Sequence, residues 1–325
     1  MSEEQFESRI NLDAIKEKIA LVKNEMGQVV IGQKQLIDLI LVALLSDGHI
    51  LIEGVPGIAK TLTSKLMART LGVDFSRIQF TPDLMPSDVL GTSVFNMKSG
   101  EFEYKQGPIF ANVVLIDEIN RAPAKTQAAL FEVMEEYQVT VDGTTYPMSK
   151  PFLVLATQNP VDQEGTYRLP EAQLDRFIFK AIVDYPELSE EVKLLTNVNT
   201  MKRHDDLERI KEVISATEIA EFRDIVQQVH VEDGLLNYIA QIIAETRQNA
   251  SLYIGASPRA SIALLKASKA LAVVNGRDFV TPEDIKYLSK PVLRHRVILT
   301  PEREMEGKTT DEIVEMIVNK IEVPR

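Results

Sequence analysis

Between Gly54 and Thr61 the chain reads Gly-Val-Pro-Gly-Ile-Ala-Lys-Thr, a near match to the pattern G-x-x-x-x-G-K-[ST]. Each residue type has a chemical reason. Backbone N–H groups converge on phosphate oxygens only where bulky side chains and left-handed strain are avoided, which is what glycine allows. Lys60 would neutralise the β- and γ-phosphates, and Thr61 would ligate Mg²⁺. A helix starting here would aim its positive N-terminus at the same anion. Ala59 stands where a glycine is expected before the lysine, which works if that position is already helix-like. The candidate nucleotide-binding set is Gly54, Val55, Pro56, Gly57, Ile58, Ala59, Lys60, Thr61 and Leu62.

Further polar residues end apolar runs. Val113-Val114-Leu115-Ile116 leads into Asp117-Glu118. A buried strand would put Asp117 at its carboxyl end, where ligands bind in open α/β sheets. Asp117 could then hold Mg²⁺ through water, and Glu118 could activate the water that attacks the γ-phosphate. Alone, this pair reads as a solvated strand end; with the phosphate loop upstream, the catalytic reading is preferred. Asn159 closes Ala156-Thr157-Gln158-Asn159 and could orient the attacking water, as a glutamine does in other nucleotide hydrolases. Arg176, in Gln173-Leu174-Asp175-Arg176-Phe177, is either a local ion pair or an arginine finger for a neighbouring subunit. Arg259, in Ser257-Pro258-Arg259, is either surface charge or a group that swings over the nucleotide.

The elements that must position these residues are legible in the pattern. Leu12, Ile15, Ile19, Val22 and Met26 recur at three- and four-residue steps, which predicts a helix over 12–26. A second helix is expected from about Gln33 to Ser46, then a buried strand at His49–Ile52, the glycine loop, and a helix over 60–71. Short continuous apolar runs at 112–116, 152–156 and 177–183 predict parallel strands buried on both faces. A helix at 124–137 lies between them, and alternation of this kind predicts an α/β core. Ser99-Gly100 and Asp142-Gly143 predict hairpins over 93–105 and 138–148. After Tyr185-Pro186 no strand run appears and helical periodicity takes over. Thr281-Pro282-Glu283-Asp284 has the residue types of a helix start. A boundary near 186 divides the chain into residues 1–186 and 187–325.

Composition narrows the function classes. With 325 residues, 45% hydrophobic and 26% charged, the chain is long enough for two packed domains. No cysteine is present, so disulfide scaffolds, thiolate metal sites and cysteine nucleophiles are excluded. The net charge of −12 disfavours nucleic acid as the main partner. The acidic start and the lack of a long apolar stretch predict a cytoplasmic protein with no membrane insertion. His49, His204, His230 and His295 show no metal-ligand spacing and read as structural or surface residues. Met97 and Met148 read as core or turn packing.

Taken together, these motifs resemble the AAA+ ATPases, specifically the MoxR-type family of the helix-2-insert clade. GVPGIAKT looks like the Walker A of that family, which commonly carries alanine at the place of Ala59. VVLIDEINRAP looks like its Walker B and ATQNP like its sensor 1; QFTPDLMPSDVLG, YRLPEAQLDRF and GASPRA are also similar to family signatures. The resemblance implies a P-loop αβα core with a parallel sheet, followed by an all-α helical lid. It implies that Asn159 is sensor 1, Arg176 the arginine finger and Arg259 sensor 2, and that Ile31 and Gly32 lie beside the adenine. It implies ATP and ADP as ligands with Mg²⁺, and a ring, usually of six subunits. It further implies a chaperone role in protein maturation or activation, often with a von Willebrand A-domain partner. The alternative is a nucleic-acid-associated motor or loader, since the clade includes helicases. The hairpin residues Lys98, Glu101, Glu103, Lys105 and Asp142 are of mixed charge and give that alternative no basic stripe. A non-hydrolysing nucleotide switch is disfavoured by the intact Asp117, Glu118, Asn159 and Arg176.

Overall fold

The computed structural model describes residues 10–55, 60–159, 167–200 and 210–324. Its centre is a five-stranded parallel sheet. The strands are β1 (His49–Gly54), β2 (Phe75–Gln79), β5 (Val113–Asp117), β8 (Leu153–Gln158) and β9 (Phe177–Val183), in the order β2-β5-β8-β1-β9. Period-two alternation sends side chains to two layers. Ile50, Ile52, Val113, Leu115, Leu153 and Leu155 face α1 (Asp13–Val29), α2 (Lys34–Leu45) and α3 (Lys60–Thr70). Leu51, Val114, Ile116, Val154 and Ala156 face α4 (Pro86–Leu90) and α5 (Ala124–Glu136). The sheet is therefore sandwiched between helices.

Strand β2 was not expected. Its sequence, Phe-Ser-Arg-Ile-Gln, buries only Ile78, and it lies at one edge of the sheet without the apolar run of the other strands. An apolar-run criterion finds strands buried on both faces and passes over such an edge.

Both expected hairpins form: β3 (Gly91–Asn96) with β4 (Glu101–Gln106), and β6 (Gln138–Val141) with β7 (Thr144–Pro147). Asp142 and Gly143 both take positive φ, as a two-residue hairpin turn requires. The hairpins touch: the Tyr104 and Tyr146 rings lie 4.4 Å apart, and Ser93 Oγ donates to Asp142 Oδ2 at 2.6 Å. Met148 is buried, whereas Met97 stands almost fully exposed at the turn beside the exposed Phe95 and Phe102.

Helix α6 (Glu171–Leu174) precedes β9; after β9 come α7 (Leu188–Thr200), α8 (Ala216–Gln228), α9 (Asp233–Gln248), α10 (Pro258–Val274), α11 (Pro282–Leu293), α12 (Pro301–Met305) and α13 (Thr310–Lys320). Thr281 and Asp284 form the capping box that opens α11. A short antiparallel ribbon, β10 (Leu252–Ile254) with β11 (Ile298–Leu299), is too brief to be announced by an apolar run. Helix α2 is apolar nearly all round, because one side meets the sheet and the other meets α8 and α10. One hydrophobic cluster consequently runs from the sheet into the C-terminal helices.

His49 and His295 are buried. His230 is exposed, 3.6 Å from Glu232; His204 lies outside the described residues. His49 Nε2 donates to Met134 O at 3.2 Å, and Val154 N donates to His49 Nδ1 at 3.1 Å. Burial lowers its pKa to about 4, against the opposing hydrogen bond to Met134. The unfolded ring titrates near 6.5, so between pH 6.5 and 4 the unfolded chain binds a proton that the native ring refuses. Stability is full above that window and is expected to fall by up to about 3 kcal/mol as pH drops through it. His295, held well below its ordinary value by burial and then by Arg296, acts in the same direction. Denaturant unfolding at steps from pH 7 to 4 reads this slope; His49→Gln should flatten it, and an unchanged slope would contradict the assignment.

Candidate nucleotide site

Three strands deliver their last residues to one rim of the sheet. The register pairs Ile116 with Ala156 and Glu53 with Gln158, so Gly54 falls beside Asn159 and Asp117 beside Thr157. A cavity of about 400 Å³ opens there, lined by Gly54, Lys60, Thr61, Leu62, Arg77, Gln79, Asp117, Glu118, Thr157 and Asn159. Helix α3 contributes Lys60, Thr61 and Leu62 to this lining. Val55 packs against the core behind it; Pro56, Gly57, Ile58 and Ala59 lie outside the described residues.

The charges in the cavity are held by short contacts. Lys60 Nζ donates to Gly54 O at 2.6 Å, and burial lowers its pKa while Asp117, Glu118 and Glu53 oppose that shift. Asp117, nearly buried at the end of β5, accepts from Arg77 Nε at 2.6 Å and from Thr157 Oγ1 at 3.2 Å. Glu118 adopts left-handed φ 56 and ψ 54, which swings its carboxylate out of the strand direction. Its backbone N–H donates to Thr157 Oγ1 at 3.0 Å. Its Oε2 accepts from Gln79 Nε2 at 3.0 Å and from Arg121 Nη1 at 2.8 Å. The arrangement offers a cation for phosphate, a carboxylate and a hydroxyl for a divalent metal, and a second carboxylate with an amide beside it for a water.

The remaining candidates lie elsewhere. Gly32, at φ +78, packs against Pro186 and Glu190; it and Ile31 do not line the cavity. Arg176 precedes β9, whose Phe177 pairs with His49 at the start of β1, while Gly54 ends that strand. Five strand residues at about 3.3 Å each separate the two rims, more than an arginine side chain spans. Arg176 Nη2 meets Glu135 Oε2 at 2.7 Å, and Arg259 Nη2 meets Glu135 Oε1 at 2.9 Å. Two guanidinium groups thus converge on one carboxylate at the far rim. Arg259 does not reach the cavity of its own chain.

Residues 49–179 match the ATPase family associated with various cellular activities (AAA), and residues 244–317 match the AAA lid domain. The chain is 48% identical to the uncharacterized protein YeaC of Bacillus subtilis over 92% of each chain. It is 41% identical to Chaperone MoxR1 of Mycobacterium tuberculosis, over 93% of this chain and 81% of that one. This chain belongs to the MoxR family of AAA+ ATPases. A crystal structure of a provisionally assigned ATPase from Cytophaga hutchinsonii, 45% identical, superposes with a TM-score of 0.88 over 95% of this MoxR-family chain and 96% of its own.

Five residues of these two clusters were missed in the sequence. Arg77 and Gln79 stand two apart on β2 and face the cavity together, but the signal is visible only once β2 is recognised as a strand. Thr157 and Arg121 sit inside motifs that were read for Asn159 and Glu118. Glu135 is one of two adjacent acids at the end of a helix, and its partners are 41 and 124 residues away, so nothing local distinguishes it.

Proposed function

We propose that this chain hydrolyses ATP in a Mg²⁺-dependent reaction and uses the energy to remodel client proteins in their maturation or activation. The observation that carries the reading is the convergence of Lys60, Asp117, Glu118 and Asn159 on one cavity at the carboxyl rim of the sheet. Lys60 neutralises the β- and γ-phosphates. Glu118 takes the proton of the attacking water, and Asn159 orients that water with it. Thr61 and Asp117 would hold the metal, which polarises the phosphates when bound. The donor set fits Mg²⁺, since that ion keeps several waters and takes few protein ligands. Arg77 already presents a positive charge to Asp117 Oδ2, as a cation there would.

Arg176 and Arg259 serve the nucleotide of a neighbouring subunit. Their distance from their own cavity and their shared Glu135 support a composite site between subunits, hence a ring, which we take as six-membered. Residues 1–186 act as the ATPase core and residues 187–325 as the lid, with Ile31 and Gly32 beside the adenine. The protein-client reading is supported by the exposed Phe95, Met97 and Phe102 on the first hairpin, since exposed apolar groups in proximity mark interaction surfaces. A von Willebrand A-domain protein is the partner class we propose, with the cytoplasm as the site of action. No helix among the described residues is long and apolar enough to cross a membrane.

Lys60→Ala tests the core of the reading. It removes the phosphate cation, so nucleotide affinity should fall by at least tenfold in equilibrium binding, and turnover should fall with it. Unchanged affinity would remove Lys60 from the site.

A further inference from the structure

We propose that Arg296, acting through Asp175, is a positioning residue that holds Arg176 and Arg259 in register as one unit; the inference rests on the reading that those arginines act on a neighbour's nucleotide. Arg296 follows α11, and its side chain is 3% exposed. A guanidinium has five N–H donors in a fixed fork, and all five are used. Nε donates to Asp175 Oδ1 at 2.6 Å. Nη2 donates to Asp175 O at 3.0 Å and to Phe177 O at 2.7 Å. Nη1 donates to Ile178 O at 3.1 Å and to Val292 O. Four of the five bonds therefore grip residues 175–178, the segment that carries Arg176. His295 Nε2 adds a fifth contact to it, on Phe177 O at 2.9 Å.

Asp175 carries the same grip to Arg259. Its second oxygen, Oδ2, accepts from Ser257 Oγ at 2.9 Å. Ser257 is the N-cap of α10, and its hydroxyl accepts from Arg259 N at 3.2 Å. One carboxylate is thus bonded to the C-terminal helices at two places, next in sequence to one functional arginine and two residues from the other. Both guanidinium heads then meet at Glu135. A buried ion pair is a poor device for stability alone, since apolar packing of similar volume often serves as well. A five-donor fork instead fixes position, and lysine cannot reproduce it. Position matters because a shift of about 1 Å at a charge-stabilising group lowers rate by roughly 100-fold.

The test uses Arg296→Lys in the full-length chain, with Ser257→Ala as the milder variant should Arg296→Lys not fold. Turnover is expected to fall by about 10–100-fold while equilibrium affinity for ATP stays at the parent value. Co-assembly with Lys60→Ala subunits, which carry intact arginines but a dead nucleotide site, should restore hydrolysis at the variant's own sites. An Arg176→Ala and Lys60→Ala pair runs in parallel. Parent-like turnover in both Arg296→Lys and Ser257→Ala would overturn the inference. So would a defect that stays unrecovered while the Arg176→Ala pair recovers, because Arg296 would then be acting on its own subunit. Failure of both pairs, with subunit mixing verified, would remove the trans reading and the inference with it.

Discussion

Glu118→Gln is expected to bind ATP as the parent chain does and to hydrolyse it about 10²–10⁴-fold more slowly, the usual contribution of a positioned general base. The carboxylate is presented by an unusual backbone. Glu118 sits in the left-handed region and its N–H is fixed by Thr157 Oγ1, so the side chain points into the cavity before any ligand arrives. Gln79 and Arg121 hold one carboxylate oxygen. The glutamine amide keeps the size and one acceptor oxygen, so the pocket and its phosphate contacts survive while the proton acceptor is lost. Single-turnover hydrolysis and equilibrium binding, measured on the same preparation, separate the two effects. Parent-like turnover would end the assignment. The same variant, held with ATP, is the form in which a protein client should accumulate. Recovery of no protein beyond that seen with Lys60→Ala would count against the remodelling role.

Arg176→Ala should cost more, about 10³–10⁵-fold in turnover, the range that arginine fingers contribute elsewhere. ATP affinity should stay within a few-fold of the parent, since Arg176 is a strand-length away from its own cavity. The loss has a directional signature. Mixed with Lys60→Ala, the variant should regain hydrolysis at interfaces that pair an intact Lys60 with a neighbour's intact Arg176. Glu135 now pairs with both arginines, at 2.7 and 2.9 Å, and under the proposed function would release them to a neighbour's γ-phosphate. A large loss of ATP affinity in Arg176→Ala would show instead that it serves its own site.

How far the sequence reached depended on whether the signal was local. Strands β1, β5, β8 and β9 each carry a largely buried apolar run, so each was legible. The hairpins were legible because Ser99-Gly100 and Asp142-Gly143 carry the turn chemistry themselves. Strand β2 was not, because an edge strand with one buried residue looks like polar chain, and Arg77 and Gln79 were hidden with it. Lys60, Thr61, Asp117, Glu118 and Asn159 could be read as one site because each sits at the end of a legible element. The Glu135 and Arg296 contacts could not, because they join residues 41 to 124 positions apart and depend on how the C-terminal helices dock.

Under the proposed function a neighbouring subunit completes the hydrolytic site. Specific ATPase activity across a protein dilution series, with light scattering on the same samples, tests it most directly. Saturating ATP is expected to favour the assembled state, activity per chain to fall as the assembly dissociates, and verified monomer to retain no Arg176-dependent turnover. A verified monomer that hydrolyses ATP at the rate of the assembly, and still loses that rate in Arg176→Ala, would contradict it.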